Sequence, residues 1–259
     1  MHILVTNDDG VLSPGILALS QALASVAHVT VLAPDHNWSA AGHNKTMHKP
    51  LRLEPVYLGD GIDAFASSGT PSDCVALAVL GVVETPVDVV VAGINVGANL
   101  GQDITYSGTV AGAMEACISG IPALAVSLVC YDERADFGPA AHVASAAAAI
   151  VGREGLPPGV FLNLNVPRLA LSDIMGVRVT RLGKRLYRDA LIRRLDPRGR
   201  PYYWIGGDPP GGEAGDGTDI WAVENGYVSV TPVQMDMTAH ALLGGLERWA
   251  GQLAEGLRE

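Results

Sequence analysis

The sequence predicts an α/β fold: a doubly wound, Rossmann-like, mostly parallel sheet, then a C-terminal extension of short strands and loops and a terminal helix. Three observations carry this. A strand, a helix and a second strand follow one another before Pro34, the order of a right-handed parallel crossover. Val87-Asp88-Val89-Val90-Val91-Ala92 is a β-branched run of the kind found in a central strand covered on both faces. Strand and helix patterns then alternate as far as Pro167, where the texture changes to arginines and glycines.

The opening strand is Ile3-Leu4-Val5-Thr6, which runs into Asn7-Asp8-Asp9-Gly10. A helix is expected from Pro14 to Val26, with apolar Ile16, Leu17, Leu19, Leu23 and Val26 near helical spacing and Ser13-Pro14 as cap and first-turn pair. His28 to Ala33 reads as the second strand, and Asp35 to Lys49 as a long polar loop leaving its C-terminal end. A strand over Ile62–Ala66 and a helix start at Gly69-Thr70-Pro71-Ser72-Asp73, ahead of Cys74 to Val83, come next. The strand Val87–Ala92 discharges into a glycine-rich loop, Gly93 to Gly101. Tyr106-Ser107-Gly108-Thr109 opens a helix over Val110–Ser119; a strand follows from Pro122 to Val129, an alanine-rich helix from Asp136 to Val151, and a strand over Val160–Asn165.

This gives an expected organisation of a Rossmann-like core over 1–167, a strand-and-loop extension over 168–236 and a C-terminal helix over 237–259. The extension carries a basic cluster, Arg181, Lys184, Arg185, Arg188, Arg193, Arg194, Arg198 and Arg200, and a glycine-rich run from Gly206 to Gly217. A solvated basic face is its economical explanation, with contact to substrate or a neighbouring subunit through Arg193 and Arg194 as the other. Ala239, Leu242, Leu243, Leu246, Ala250, Leu253 and Leu257 fit an amphipathic helix.

The formal charge of -10 argues against a nucleic-acid polymer as partner, because such binding needs a basic face. Cys74, Cys117 and Cys130 lack metal spacing and sit in apolar contexts, as buried thiols in a reducing cytoplasm do. No apolar run approaches the roughly 20 residues of a membrane span, and no signal-peptide pattern opens the chain, so a cytoplasmic protein with no membrane partner is expected.

Chemistry concentrates after the first strand. Neighbouring side chains on a strand diverge, but Asp8 and Asp9 sit where the strand ends and both can turn to one point. Two close carboxylates repel, and a cation removes that penalty; a solvated acidic turn is the plainer reading. Ligands of open parallel sheets gather beyond the carboxyl ends of the strands. Three such loops carry small oxygen donors: Asp8 and Asp9, then Ser39, then Asn95. Hard oxygens of this kind select Mg2+, Mn2+ or Ca2+ over Zn2+ or copper. Ser107-Gly108-Thr109 at a helix start offers N–H groups and hydroxyls to an anion, or simply caps the helix. A cation beside a helix N-terminus suits a phosphate ester, and phosphate hydrolysis is the simplest chemistry that follows.

The Asn7–Gly10 stretch, the loop with Ser39, Gly69–Asp73, Gly93–Asn99 and Tyr106–Ala113 together resemble the stationary-phase survival protein SurE family. Asn163-Leu164-Asn165-Val166-Pro167, Thr218-Asp219 and Gly226–Pro232 extend the resemblance over nearly the whole chain. It implies a metal-dependent 5'- and 3'-nucleotidase acting on nucleoside monophosphates, with one Mg2+ or Mn2+ per subunit on Asp8, Asp9, Ser39 and Asn95. It also implies a homodimer or homotetramer in which a C-terminal extension reaches a partner. His36-Asn37-Trp38 departs from the Gln or basic residues of many members, which bears on substrate preference.

Asp8 and Asp9 are the expected catalytic pair, with Asn99, Ser107, Gly108 and Thr109 holding the phosphate. His36, His43 and His48 are assigned no role. A receiver-like Mg2+ switch is the rival from another class, but it needs an aspartate at the end of a central strand, where this chain has Asn95. Dehalogenase-type phosphatases need Asp-x-Asp rather than Asp8-Asp9.

Overall fold

The computed structural model describes residues 1–187, 189–207 and 211–257, so Arg188 of the basic cluster and part of the glycine-rich run lie outside the described residues. The first crossover is β1 (His2–Thr6), α1 (Pro14–Ala24) and β2 (His28–Pro34). The side chain of Ser13 accepts from the N–H of Ile16, with Pro14 in the first turn, as the sequence indicates. A short edge strand, β3 (Leu53–Pro55), precedes β4 (Asp63–Ser67). Helix α2 (Pro71–Leu77) opens with a full capping box: Thr70 accepts from the Asp73 N–H while Asp73 accepts from that of Thr70.

The central strand is β5 (Val89–Val96). It runs four residues beyond the expected end at Ala92, through Gly93 and Asn95, with a register shift against β6 between Ala92 and Asn95. Asn95 therefore lies at the C-terminal end of a strand, one residue before its last, rather than in a loop. A 3-10 turn (Gly101–Thr105) leads to α3 (Gly108–Ile118), then β6 (Ala123–Val129), α4 (Gly138–Glu154) and β7 (Val160–Pro167).

The extension holds β8 (Val177–Val179), β9 (Lys184–Leu186), β10 (Asp189–Leu195), β11 (Pro201–Gly207), β12 (Gly211–Glu213), α5 (Asp219–Glu224) and β13 (Val228–Gln234). Strands β10 and β11 form a hairpin, and β9 pairs with β12. Helix α6 (Leu243–Gly256) ends the described chain, and none of its residues is buried.

Among the described residues the main sheet has nine strands in the order β3-β4-β2-β1-β5-β6-β7-β13-β8. From β4 to β7 all neighbours are parallel; β3 is antiparallel to β4, and β13 is antiparallel to β7 but parallel to β8. The extension thus supplies two strands, β13 and β8, to the main sheet. Chain order reverses between β1 and β5, which are hydrogen-bonded neighbours, and the crevice at this switch point is where such folds bind ligands.

Alternation along β1 divides the core. Ile3 and Val5 pack on one face with Ile16, Leu19 and Leu23 of α1 and Ala140, Ala144 and Ala148 of α4. Leu4 packs on the other face with Cys74 and Val75 of α2 and Val110, Ala113 and Met114 of α3. Each buried Ile, Leu, Val or Met side chain among these gains about 1.5–3 kcal/mol from burial. All three cysteines are free and buried. No helix among the described residues is long and apolar enough to cross a membrane.

Candidate metal and phosphate site

Asp8 and Asp9 leave the C-terminal end of β1 at the switch point. The turn is held from below by Asn7, whose Nδ2 donates to the carbonyl of Gly10 at 2.9 Å and to Ser13 Oγ at 2.7 Å. Gly10 has a φ of +101°, which explains the glycine after the acidic pair. Asp8 is buried, and its carboxylate accepts hydrogen bonds from the Thr109 hydroxyl and from backbone N–H groups at Gly108 and Thr109. A Cβ on Gly108 would lie 2.6 Å from Asp8 Cβ, so only glycine lets the N-terminus of α3 come this close.

Asp9 is less buried and turns to β5, where its Oδ2 accepts from the N–H of Val96 at 3.3 Å. That places it beside Asn95, whose Nδ2 donates to the carbonyl of Gly97 at 2.8 Å and leaves the amide oxygen as the available acceptor. The Ser39 loop is tied to the same place. The N–H of Trp38 donates to the carbonyl of Asp8 at 2.7 Å, and Gly42 N–H to the carbonyl of Tyr106 at 3.0 Å. Ser39 itself is exposed, its N–H bonded to Asn37 Oδ1 at 2.7 Å.

Electrostatics matches this geometry. Burial pushes the Asp8 carboxyl upward, and the bonds from Thr109 and the α3 backbone pull it partly back. Burial, then the charge of Asp8, raise Asp9 to about 6, against a lowering bond from Val96. Two carboxylates that resist ionisation side by side are what a cation would relieve. Among the described residues no three His, Cys, Asp or Glu side chains converge as a metal cage. A cation at this pair would meet two carboxylates and the free amide oxygen of Asn95, with the Ser39 hydroxyl on the adjoining loop, hard donors of the kind that suit a Mg2+- or Mn2+-type ion.

Of the residues expected on the phosphate, Ser107, Gly108 and Thr109 lie at the head of α3. Ser107 caps the helix, accepting from Val110 N–H at 3.1 Å, and keeps its own proton to donate; Thr109 serves Asp8 instead of capping. Asn99 is drawn into a buried network. Its Nδ2 donates to Ser127 Oγ at 2.8 Å, its N–H to Asn165 Oδ1 at 2.9 Å, and its carbonyl accepts from Asn163 and Asn165.

Sequence reasoning passed over Asn7, the Asn163–Asn165 pair as supports for this loop, and Glu115. Polar residues two apart inside an apolar strand, and a lone acid in a helix of small apolar residues, were the available signals. A cavity of about 290 Å³ opens beside Asp9, lined among others by Ser13, Asp35, His36, Asn37 and Glu133. The ring of His36 lies against Trp38 with 5.0 Å between centroids.

A doubly wound α/β protein with paired acids and a helix N-terminus at its switch point belongs to the class built to hold a cation and a phosphate group together. Comparison with known proteins makes this specific. The chain belongs to the survival protein SurE family, whose model matches residues 3–189. It is 51% identical over 250 residues to the 5'-nucleotidase SurE of Chloroflexus aggregans, covering 96% of this chain and 99% of that one. It is 54% identical over 239 residues to the 5'-nucleotidase SurE of Herpetosiphon aurantiacus, covering 92% and 94%. Among solved structures it resembles the SurE protein from Aquifex aeolicus, with a TM-score of 0.84, 43% identity, and coverage of 96% of this chain and all of that one.

Proposed function

We propose that this protein is a metal-dependent phosphomonoesterase that hydrolyses nucleoside 5'-monophosphates, and 3'-monophosphates, to nucleoside and phosphate. The observation that carries the reading is the contact of Asp8 with the first turn of α3, which puts an acid pair and a phosphate-type cradle at one switch point. The relatives named as 5'-nucleotidases supply the substrate class.

In this reading Asp8, Asp9, Asn95 and Ser39 hold one Mg2+ or Mn2+ per subunit. When bound, the cation polarises a phosphoryl oxygen and lowers the pKa of water at the site. The N-terminus of α3, through its dipole and the Ser107 hydroxyl, steadies the charge on the phosphoryl oxygens, while Gly108 and Thr109, which bond Asp8, keep the acid pair against that helix end. Asp9, the less buried of the pair, lines the cavity beside the site and holds the cation from that side. Asn99 contributes chiefly by shaping the loop after β5, with its remaining polar capacity toward the phosphate.

The site belongs to the core over 1–167, with 168–236 as its rim and oligomerisation arm and 237–259 as the terminal helix. A cytoplasmic homodimer or homotetramer is the working assembly. The test is release of inorganic phosphate from AMP, GMP and simple phosphate esters with Mn2+, Mg2+ or EDTA. Metal-dependent release from the nucleotides supports the reading; release from simple esters alone would remove the nucleotide specificity, and no release at all would remove the enzyme.

A further inference from the structure

Glu115 lies two turns into α3, with a side chain only 3% exposed. A buried carboxylate on a helix of small apolar residues is costly unless it is paired. Both of its partners come from the loop that carries Ser39. His43 Nε2 lies 3.0 Å from Glu115 Oε2, and Lys45 Nζ lies 2.6 Å from Oε1. The same loop is tied on one side of Ser39 by Trp38 N–H to Asp8, and beyond the ion pairs by Thr46 N–H to Asp73 Oδ1 at 2.9 Å. Between these ties Ala40 has a φ of +60°, a conformation that a non-glycine residue keeps only where its surroundings enforce it.

We infer that Glu115 is a positioning residue: through His43 and Lys45 it clamps the 35–49 loop onto α3 and so fixes Ser39 over the Asp8–Asp9 pair. The helix that presents the phosphate cradle at its first turn thereby also anchors the remaining oxygen donor, and the two halves of the site keep one geometry. Glu115 touches neither cation nor phosphate; it acts only through the loop. The inference rests on the reading of Ser39 as a ligand, set out above.

The test is Mn2+ affinity without substrate, read from the electron paramagnetic resonance signal of free Mn2+. The proteins compared are the wild type, Ser39→Ala, Glu115→Gln, Lys45→Met and the double variant Ser39→Ala/Glu115→Gln. Loss of the ligand Ser39 should weaken Mn2+ binding at least about tenfold, and loss of Glu115 or of Lys45 about tenfold, the usual scale for an outer-shell support. The double variant should bind no more weakly than Ser39→Ala alone, because Glu115 has nothing left to position. Phosphate release by Glu115→Gln and Lys45→Met at saturating Mn2+ should stay within about twofold of wild type, with the change confined to the Mn2+ dependence.

Wild-type Mn2+ affinity in folded Glu115→Gln and Lys45→Met overturns the inference. So does a double variant that multiplies the two single losses, since that is the result for a general stabiliser. If Glu115→Gln does not fold, Lys45→Met and Ser39→Ala/Lys45→Met give the same comparison, because Lys45 is half-exposed. A wild type that binds Mn2+ yet releases no phosphate from AMP would end the nucleotidase reading and leave the clamp standing on its binding data.

Discussion

The hydroxyl of Thr109 donates to the carboxylate of Asp8 across 101 positions of sequence, joining the end of β1 to the first turn of α3. This bond helps the backbone N–H groups of Gly108 and Thr109 to aim a buried acid. Thr109→Val keeps the shape and removes the donor. Stability in EDTA should fall by about 1.5–3 kcal/mol, the range for a bond to a charged group. Phosphate release should fall about ten- to hundredfold as Asp8 loses its aim. Thr109→Ser should restore most of both. Unfolding in urea and a phosphate assay read the two effects, and a Thr109→Val protein with wild-type values in each would show that this contact directs nothing.

Gly108→Ala tests the same junction by steric means. The added methyl would sit 2.6 Å from Asp8 Cβ and 2.9 Å from its Oδ2, so the carboxylate or the helix must move. Overpacking of this kind costs about 1–3 kcal/mol. Mn2+ binding should weaken together with stability. Calorimetric titration showing unchanged Mn2+ affinity would mean that α3 and the acid pair are not rigidly coupled.

Asp9 gives a pH prediction with a definite sign. Its carboxyl is raised from 3.8 to about 6 by burial and by the neighbouring Asp8. A raised pKa means that folding favours the protonated form. The stability this contributes is fully present below 3.8 and is lost as pH rises through about 6. With partial exposure discounted, the change is about 1–2 kcal/mol. In EDTA the wild type should therefore lose stability between pH 4 and pH 7, and Asp9→Asn should lose less. The same variant should abolish phosphate release while its melting temperature at pH 7.5 is equal to or above that of the metal-free wild type. Full activity in Asp9→Asn would take the acid pair out of the chemistry.

Much of this was legible because the determining signals are local. Asp8, Asp9 and Asn95 each stand at the end of an apolar run, and the fold brings the ends of parallel strands to one edge. Ser107 and Thr70 announce helix starts through their own side chains, and both cap in the structure. Failures came where partners are distant. Gly93 reads as a strand breaker, yet β5 continues through it to Val96 because β6 supports the shifted register. Asn99 reads as a free loop amide, but Ser127, Asn163 and Asn165 claim much of it from β6 and β7. The insertion of β13 beside β7 is likewise a non-local pairing with no local mark.

Metal removal should separate the folded scaffold from the working site. Because Asp8 and Asp9 both resist ionisation without a counter-charge, Mn2+ should raise the melting temperature more at pH 7.5 than at pH 5. At about 100 times the dissociation constant the gain should approach 2.7 kcal/mol. EDTA should reverse it and stop phosphate release. Thermal shift across a Mn2+ series reads this directly; an equal shift in an Asp8→Asn/Asp9→Asn variant would place the ion elsewhere.

The hairpin and the last helix make the final prediction. Leu191, Trp204 and Ile205 on β10 and β11 are 70%, 63% and 82% exposed. Along α6, Leu243, Leu246, Trp249 and Leu253 are exposed too, although the spacing of these apolar residues is that of a core-facing helix. Such surface is costly in a lone chain and is typical of faces that meet a partner. A second copy is the expected partner, so the chain should run as a dimer or tetramer in light scattering after gel filtration. Trp249→Glu and Ile205→Lys alter side chains that pack little within their own chain, and so should leave the secondary structure of the core intact while lowering the assembly mass. A wild-type chain that stays monomeric at high concentration, with these faces still open, would rule out self-association as the reason they are apolar.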